Sequence, residues 1–276
     1  MSYLPLPTPG STPHRVLTIA GSDSGGGAGI QADLRTFALL GVHGCVAVTA
    51  VTEQNTFGVR GIHEIPTDVV VGQIEAVASD IGVQAAKTGM LASADIITAV
   101  AHTWAQLSMP APLVVDPVCA SMHGDPLLAD GALDALRDQL FPLATLITPN
   151  LDEVRLLVGI DVVDAASQQA AAQELHALGP RWVLVKGGHL RSSMNSCDVL
   201  YDGQRFYEFD APRVPTNNDH GGGDTLAAAA ACALAHEFSV PEAVGFAKLW
   251  VTECLRAAYP LGGGHGPVSP LFRLQV

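Results

Sequence analysis

Short apolar runs and longer amphipathic stretches take turns along the chain, and that alternation sets the expected fold. Arg15–Gly21, Cys45–Val51, Gln84–Met90, Leu113–Asp116, Ala144–Asn150 and Trp182–Lys186 are short, mostly apolar runs, several of them bounded by a glycine, a proline or an acid. They read as strands, with Arg15–Gly21, Cys45–Val51 and the run before Lys186 as buried ones. Between them the spacing becomes helical: Ile30, Leu34, Phe37 and Ala38 share one face ahead of Gly41, Val70, Ile74, Val77 and Ile81 form a stripe after Pro66-Thr67-Asp68, and Ile97, Val100, Ala101 and Trp104 form a third. Cys197–Tyr201 and Arg205–Phe209 flank Asp202-Gly203, a hairpin signal. The polar Thr52–Thr56 reads as a loop able to line a pocket. Strand and helix in turn predict an α/β protein with a mostly parallel sheet covered by helices, an antiparallel edge, and ligands at the strands' carboxyl ends. No repeat or linker divides residues 15–276, which read as a single domain behind a proline-rich, disordered lead-in at 1–14.

Composition narrows the possible partners. Hydrophobic residues make up 48% of the 276 and charged ones 15%, so the chain can bury a large core. Fourteen basic against 27 acidic residues give a formal charge of −13, which argues against a nucleic-acid or anionic-membrane surface. Cys45, Cys119, Cys197, Cys232 and Cys254 are scattered, with no Cys-x-x-Cys pair, so neither a disulfide framework nor a zinc site is indicated. A reducing cytoplasm fits them. There is no run of eighteen apolar residues and no signal-peptide core at the start, which predicts no membrane association.

The sharpest chemical signal is Asn217-Asn218-Asp219-His220-Gly221-Gly222-Gly223-Asp224-Thr225, running into Leu226 and the alanines Ala227–Ala231. Glycines let backbone N–H groups converge, and the first N–H groups of a helix have no internal partner, so this junction is an anion site. Asp224 beside such a site suits a phosphate in transit: an acid can take a hydroxyl proton while the N–H groups hold the charge on the phosphoryl oxygens. Asp116, Asn150, Glu153 and Lys186 stand at the ends of expected strands, where polar residues carry extra weight. A competing pattern is Gly27-Ala28-Gly29-Ile30-Gln31-Ala32, which has the spacing of a dinucleotide loop with Glu53 beyond the next strand. It predicts a nicotinamide oxidoreductase. That reading leaves Gly221–Asp224 without a purpose.

Several stretches in order make the chain resemble the hydroxymethylpyrimidine and phosphomethylpyrimidine kinases of thiamin synthesis, in the ribokinase-like superfamily. They are Ala20-Gly21-Ser22-Asp23, Gly26–Asp33, Gln54-Asn55-Thr56, Lys87–Leu91, Asp116-Pro117-Val118, Thr148-Pro149-Asn150, Lys186-Gly187-Gly188-His189 and His220-Gly221. The resemblance implies a three-layer α/β/α sandwich, a homodimer, and transfer of the ATP γ-phosphate to 4-amino-5-hydroxymethyl-2-methylpyrimidine and then to its monophosphate. It implies a magnesium ion and places Gln54, Asp33, Gly21 and Met90 at the pyrimidine alcohol. It places Lys186, Asn150, Thr225 and Lys248 at the nucleotide and Asp116 and Glu153 at the metal, with Gly221, Gly222, Gly223 and Asp224 as the catalytic set. The family usually carries a cysteine where this chain has Asp224, and Gly-Gly-Gly-Asp is similar instead to the aspartate site of the wider superfamily. A pyridoxine-type kinase is therefore the alternative within the superfamily, and a vitamin-binding module without turnover the alternative outside enzymology.

Overall fold

The structure is a computed structural model that describes residues 4–107, 111–119, 131–188 and 195–275; His189 lies outside them. Ten strands run β1 Arg15–Ala20, β2 His43–Val48, β3 Ala50–Asn55, β4 Gly58–Glu64, β5 Ala85–Thr88, β6 Leu113–Val115, β7 Leu146–Ile147, β8 Val183–Val185, β9 Asn195–Tyr201 and β10 Phe206–Pro212. The helices are α1 Gly29–Leu39, α2 Thr67–Ala76, α3 Ala94–Gln106, α4 Ala132–Ala135, α5 Leu151–Val158, α6 Ala165–His176, α7 Gly222–Ala235 and α8 Val240–Arg256.

Eight strands form one sheet in the order β10-β9-β8-β7-β6-β5-β1-β2. From β2 to β8 the pairing is parallel, and β9 and β10 add the antiparallel edge around Asp202-Gly203. The short strands β5, β6 and β8 are buried throughout, as apolar runs covered on both faces must be. Two apolar clusters sandwich the sheet, one built with α1, α7 and α8 and the other with α2, α3, α5 and α6. The predicted α/β sandwich with its hairpin edge is the observed fold.

Helix α7 is the centre of the first layer. A helix apolar all round must be buried all round, and Ala227 to Ala231 are fully enclosed. Their small side chains let the axis approach β1, β5 and β6 closely, which fixes the start of α7 above the carboxyl ends of the middle strands.

Two expectations change. Thr52–Thr56 is not a loop: β3 and β4 form a separate antiparallel ribbon with a register shift at Glu53/Gln54. Thr52 points inward while Val51 and Glu53 point out, a period of two that the polar composition hides. The lead-in is also not wholly loose, because Leu4 is 2% exposed and packs in the core layer of α1 and α7.

Candidate active site

The carboxyl ends of β1, β5, β6, β7 and β8 deliver Gly21, Gly89, Asp116, Asn150 and Lys186 to one side of the sheet, facing the start of α7. Gly221 caps α7 with φ +77°, a left-handed conformation that favours glycine. The N–H of Gly222 is spent on the Asp219 carbonyl at 3.1 Å. Those of Gly223 and Asp224 have no partner among the described residues, so the anion nest is narrower than the full Gly221–Asp224 run.

Behind that nest lies a buried ion network. Lys87, in the middle of β5 and fully enclosed, donates to Asp224 Oδ1 at 2.9 Å and to both Asp33 oxygens at 3.0 Å. Thr18 Oγ1 donates to Asp33 Oδ2 at 2.6 Å. Burial alone would discharge the lysine, but Asp224 and Asp33 hold its ammonium well above the usual range. One cation between two carboxylates serves them unequally. Burial, reinforced by the neighbouring Asp224 charge, pushes Asp33 up to about 7 against the pull of Lys87 and the Thr18 hydrogen bond. Burial also acts on Asp224, yet Lys87, His220 and Lys186 together outweigh it and hold that carboxyl below its ordinary value. Asp224 therefore remains an anion at neutral pH, with its side chain 15% exposed.

On one side of Asp224 is a cleft of about 800 Å³ whose walls include Asn150, Lys186, Gly222, Gly223, Val251 and Leu255. Lys186 Nζ lies 3.0 Å from Asp116 Oδ1, which also accepts from Thr148 Oγ1 at 3.0 Å. A Cβ on Gly223 would sit 3.2 Å from Lys186 Nζ and 3.5 Å from Asp116 Oδ2, so a bare backbone here keeps these groups open to the cleft. On the other side, a Cβ on Gly89 would be 3.7 Å from Asp224 Oδ1, and the next residue is Met90. Met90 packs with Ala50 and Ala92, and its Cε would lie 2.5 Å from a Cβ on Gly21. Gln54 Nε2 lies 3.3 Å from His220 Nε2, which in turn lies 2.9 Å from Asp23 Oδ2. Asp23 also accepts from the N–H groups of Gly25, Gly27 and Ala28 and so shapes the first glycine loop. Burial would raise its pKa, but His220 and those N–H groups hold it below the ordinary value.

The family model described as phosphomethylpyrimidine kinase matches residues 23–269, nearly the whole chain. The chain belongs to that family. It is 77% identical, over the full length of both chains, to the hydroxymethylpyrimidine/phosphomethylpyrimidine kinase of Mycobacterium tuberculosis. Among solved structures it is similar to an ADP complex of Bacillus subtilis pyridoxal kinase, with TM-score 0.88 and 37% identity over 96% of this chain and all of that one. It is also similar to the phosphomethylpyrimidine kinase of Clostridium difficile, with TM-score 0.77 and 39% identity over 87% and 98% of the two chains. The chain is thus a kinase with the ribokinase-like fold, and no described helix is long and apolar enough to cross a membrane.

For this kinase the expected site residues divide into groups. Gly222, Gly223, Asn150, Lys186 and Lys248 line the cleft, Asp116 pairs with Lys186 and Asp224 follows Gly223, while Met90 follows Gly89 on the other side of Asp224, Gly21 packs on Met90, and Gln54 meets His220. Asp33 does not reach a substrate, since it is fully enclosed beneath Lys87. Gly21 contributes shape alone: its N–H goes to Met90 O and its carbonyl accepts from Ile30 N. Thr225 is 1% exposed and gives its N–H to Gly221 O. Glu153 turns back to accept from Asn150 N at 2.7 Å while Asn150 Oδ1 accepts from Glu153 N, a capping box rather than an open metal ligand. Lys248 is not on a free surface. It is largely buried in the wall of the cleft, 2.8 Å from Asp198 Oδ2 and 3.0 Å from Ser196 Oγ. The nicotinamide reading of Gly27 also has a local answer, because a Cβ there would strike the His220 ring and Gly27 packs under Gly221.

The sequence reading gave no role to Lys87, His220 or Asp23. A lysine inside the apolar run Ala85-Ala86-Lys87-Thr88 was the available signal, since an enclosed ammonium requires a carboxylate partner.

Proposed function

We propose that this kinase transfers the ATP γ-phosphate to 4-amino-5-hydroxymethyl-2-methylpyrimidine and then to the resulting monophosphate, in thiamin diphosphate synthesis. The observation that carries the reading is Asp224, an anion beside unspent N–H groups, next in the chain to Gly223 of the Lys186 cleft and close to Gly89, which precedes Met90. The relatives' names support the substrate class.

ATP suits the cleft, whose lining combines polar Asn150, Lys186 and Lys248 with apolar Leu226, Val251 and Leu255. Burial opposes the Lys186 charge, but Asp116 and Glu153 restore and exceed it, so a cation faces the phosphates. Asp116 fits magnesium, since its Oδ2 would lie 3.5 Å from a Cβ on the cleft residue Gly223 and this ion takes one or two carboxylates along with phosphate oxygens and waters. Glu153, committed to its capping box, does not fit as a direct ligand. When bound, the ion would neutralise phosphate charge. Gln54 suits the aminopyrimidine because a carboxamide pairs a ring nitrogen and its neighbouring amine.

In the first reaction the alcohol oxygen attacks the γ-phosphorus and the bond to the ADP oxygen breaks. Asp224 receives the alcohol proton, and the N–H groups of Gly223 and Asp224 hold the equatorial charge. In the second reaction the acceptor is a phosphate whose second pKa is about 6, so its oxygen is largely deprotonated already. Asp224→Asn should therefore cut kcat for the alcohol by about 10² to 10⁴, the usual worth of a general base, and spare the monophosphate reaction much more. An ADP-release assay run with the alcohol, the monophosphate and pyridoxine tests both points. Equal losses on both pyrimidines would make Asp224 structural, and turnover of pyridoxine alone would replace the substrate. The reading includes a homodimer, supported by the exposed apolar Val51, Phe57 and Ile62 on the β3–β4 ribbon, and a cytoplasmic setting, supported by five unpaired cysteines.

A further inference from the structure

Asp224 has a partner that the transfer reaction by itself does not explain. Lys87 Nζ touches it at 2.9 Å from β5, at full enclosure, although an ammonium costs less almost anywhere nearer solvent. Its other side is gripped by both oxygens of Asp33 on α1, and Asp33 is in turn fixed by Thr18 on β1. The chain Thr18–Asp33–Lys87–Asp224 thus runs from the sheet interior to the mouth of α7. Among the described residues, the other charged groups that act on Asp224 are Asp33, enclosed beneath Lys87, Lys186 after β8 and His220 just before α7. Among the described residues, the one side chain that forms an ion pair with Asp224 is Lys87.

We propose that Lys87 is a positioning residue for Asp224: anchored by Asp33, its ammonium aims the carboxylate at the acceptor oxygen and keeps it ionised until the acceptor proton arrives. This rests on the phosphoryl-transfer reading above and adds to it a reason for the buried pair. An opposite charge at this distance shifts a carboxyl by about 1 to 3 pK units. Lys87 also neutralises one of two adjacent acids, which lowers the repulsion that a phosphorylated acceptor would meet.

Lys87→Met leaves Asp33 enclosed without a cation and risks misfolding, so the test pairs it with the double variant Lys87→Met/Asp33→Asn, where the amide can still accept from Thr18. ADP release is measured against pH with the pyrimidine alcohol, with Asp224→Asn in parallel and thermal unfolding as the check on folding. In whichever variant is folded, we expect kcat lower on the order of 100-fold, the scale of a 1 Å misplacement. The acid limb of kcat/KM should move about 1 to 3 pH units upward, with KM for ATP unchanged. Lys87 lowers the Asp224 pKa, so its loss must move the limb up and not down. A folded double variant with the wild-type rate and acid limb, beside a slow Asp224→Asn, overturns this inference alone. A wild-type rate in Asp224→Asn removes the transfer reading and this inference together.

Discussion

Replacing Gly221 with alanine tests whether the start of α7 is a fitted part or a flexible turn. Its φ of +77° costs a non-glycine residue about 1 to 2 kcal/mol. The new Cβ would also lie 2.9 Å from the Gly27 carbonyl carbon and 3.2 Å from Ala28 Cα, with the Gly27 oxygen closer still. Carbon atoms rest at about 3.5 to 4.0 Å, so the Gly27 loop and the α7 mouth must part by roughly 0.6 Å or more. Both segments are backbone, so neither can yield by changing a rotamer. At about 2 to 4 °C per kcal/mol for a chain of this order, thermal unfolding should fall by at least about 2 to 8 °C. The displaced nest should lose up to about 100-fold in kcat. Gly222→Ala is the control, since its Cβ would meet only Val268 Cγ1 at 3.8 Å and its φ is not positive. Its Tm should hold or rise, because alanine is favoured over glycine inside a helix by about 1 kcal/mol. Calorimetry and ADP release on both variants decide the matter. Equal behaviour of the two, or an unchanged Gly221→Ala, would refute the argument.

Glu153→Gln keeps the capping box and removes a charge. Burial raises that carboxyl from its ordinary 4.5 to about 7, so the folded state holds its proton longer than the unfolded one, and the stability it contributes at low pH is lost as pH rises through 7. At about 1.4 kcal/mol per unit the variant should gain up to roughly 3 kcal/mol over wild type at pH 8 and nothing at pH 4; denaturant unfolding curves that stay parallel would contradict this. Lys248→Met leaves Asp198, which also anchors the Gly187 N–H, enclosed and uncompensated. Stability should drop by about 3 to 5 kcal/mol, whereas a raised KM for ATP at constant Tm would instead make Lys248 a direct nucleotide contact.

Particular residues show where reading the sequence worked and where it stopped. The strand runs, the Asp202-Gly203 turn and the alanine helix were legible because each rests on a local period or a local turn preference. Helices α5, α6 and α8 announce themselves by capping boxes at Asn150/Glu153, Asp164/Ser167 and Ser239/Glu242, signals of the same local kind that hydrophobic spacing alone overlooks. The β3–β4 ribbon was not legible, because the glycines and charges of Gly58–Glu64 mask its alternation until its partner is paired.

Residue type placed acids and lysines near phosphate chemistry, but it could not say which acid meets which lysine. Asp33 and Lys87 are 54 positions apart, and Lys87 and Asp224 are 137 apart. By itself the sequence determined the layered sheet, the glycine mouth of α7 and the class of reaction, since period, propensity and backbone freedom are properties of neighbouring residues. Only the tertiary structure decided that Asp33 lies behind the site, that Glu153 closes a helix and that Lys248 serves Asp198. Those choices depend on enclosure and on distance through space, and a charge acquires its role from what surrounds it after the chain has closed.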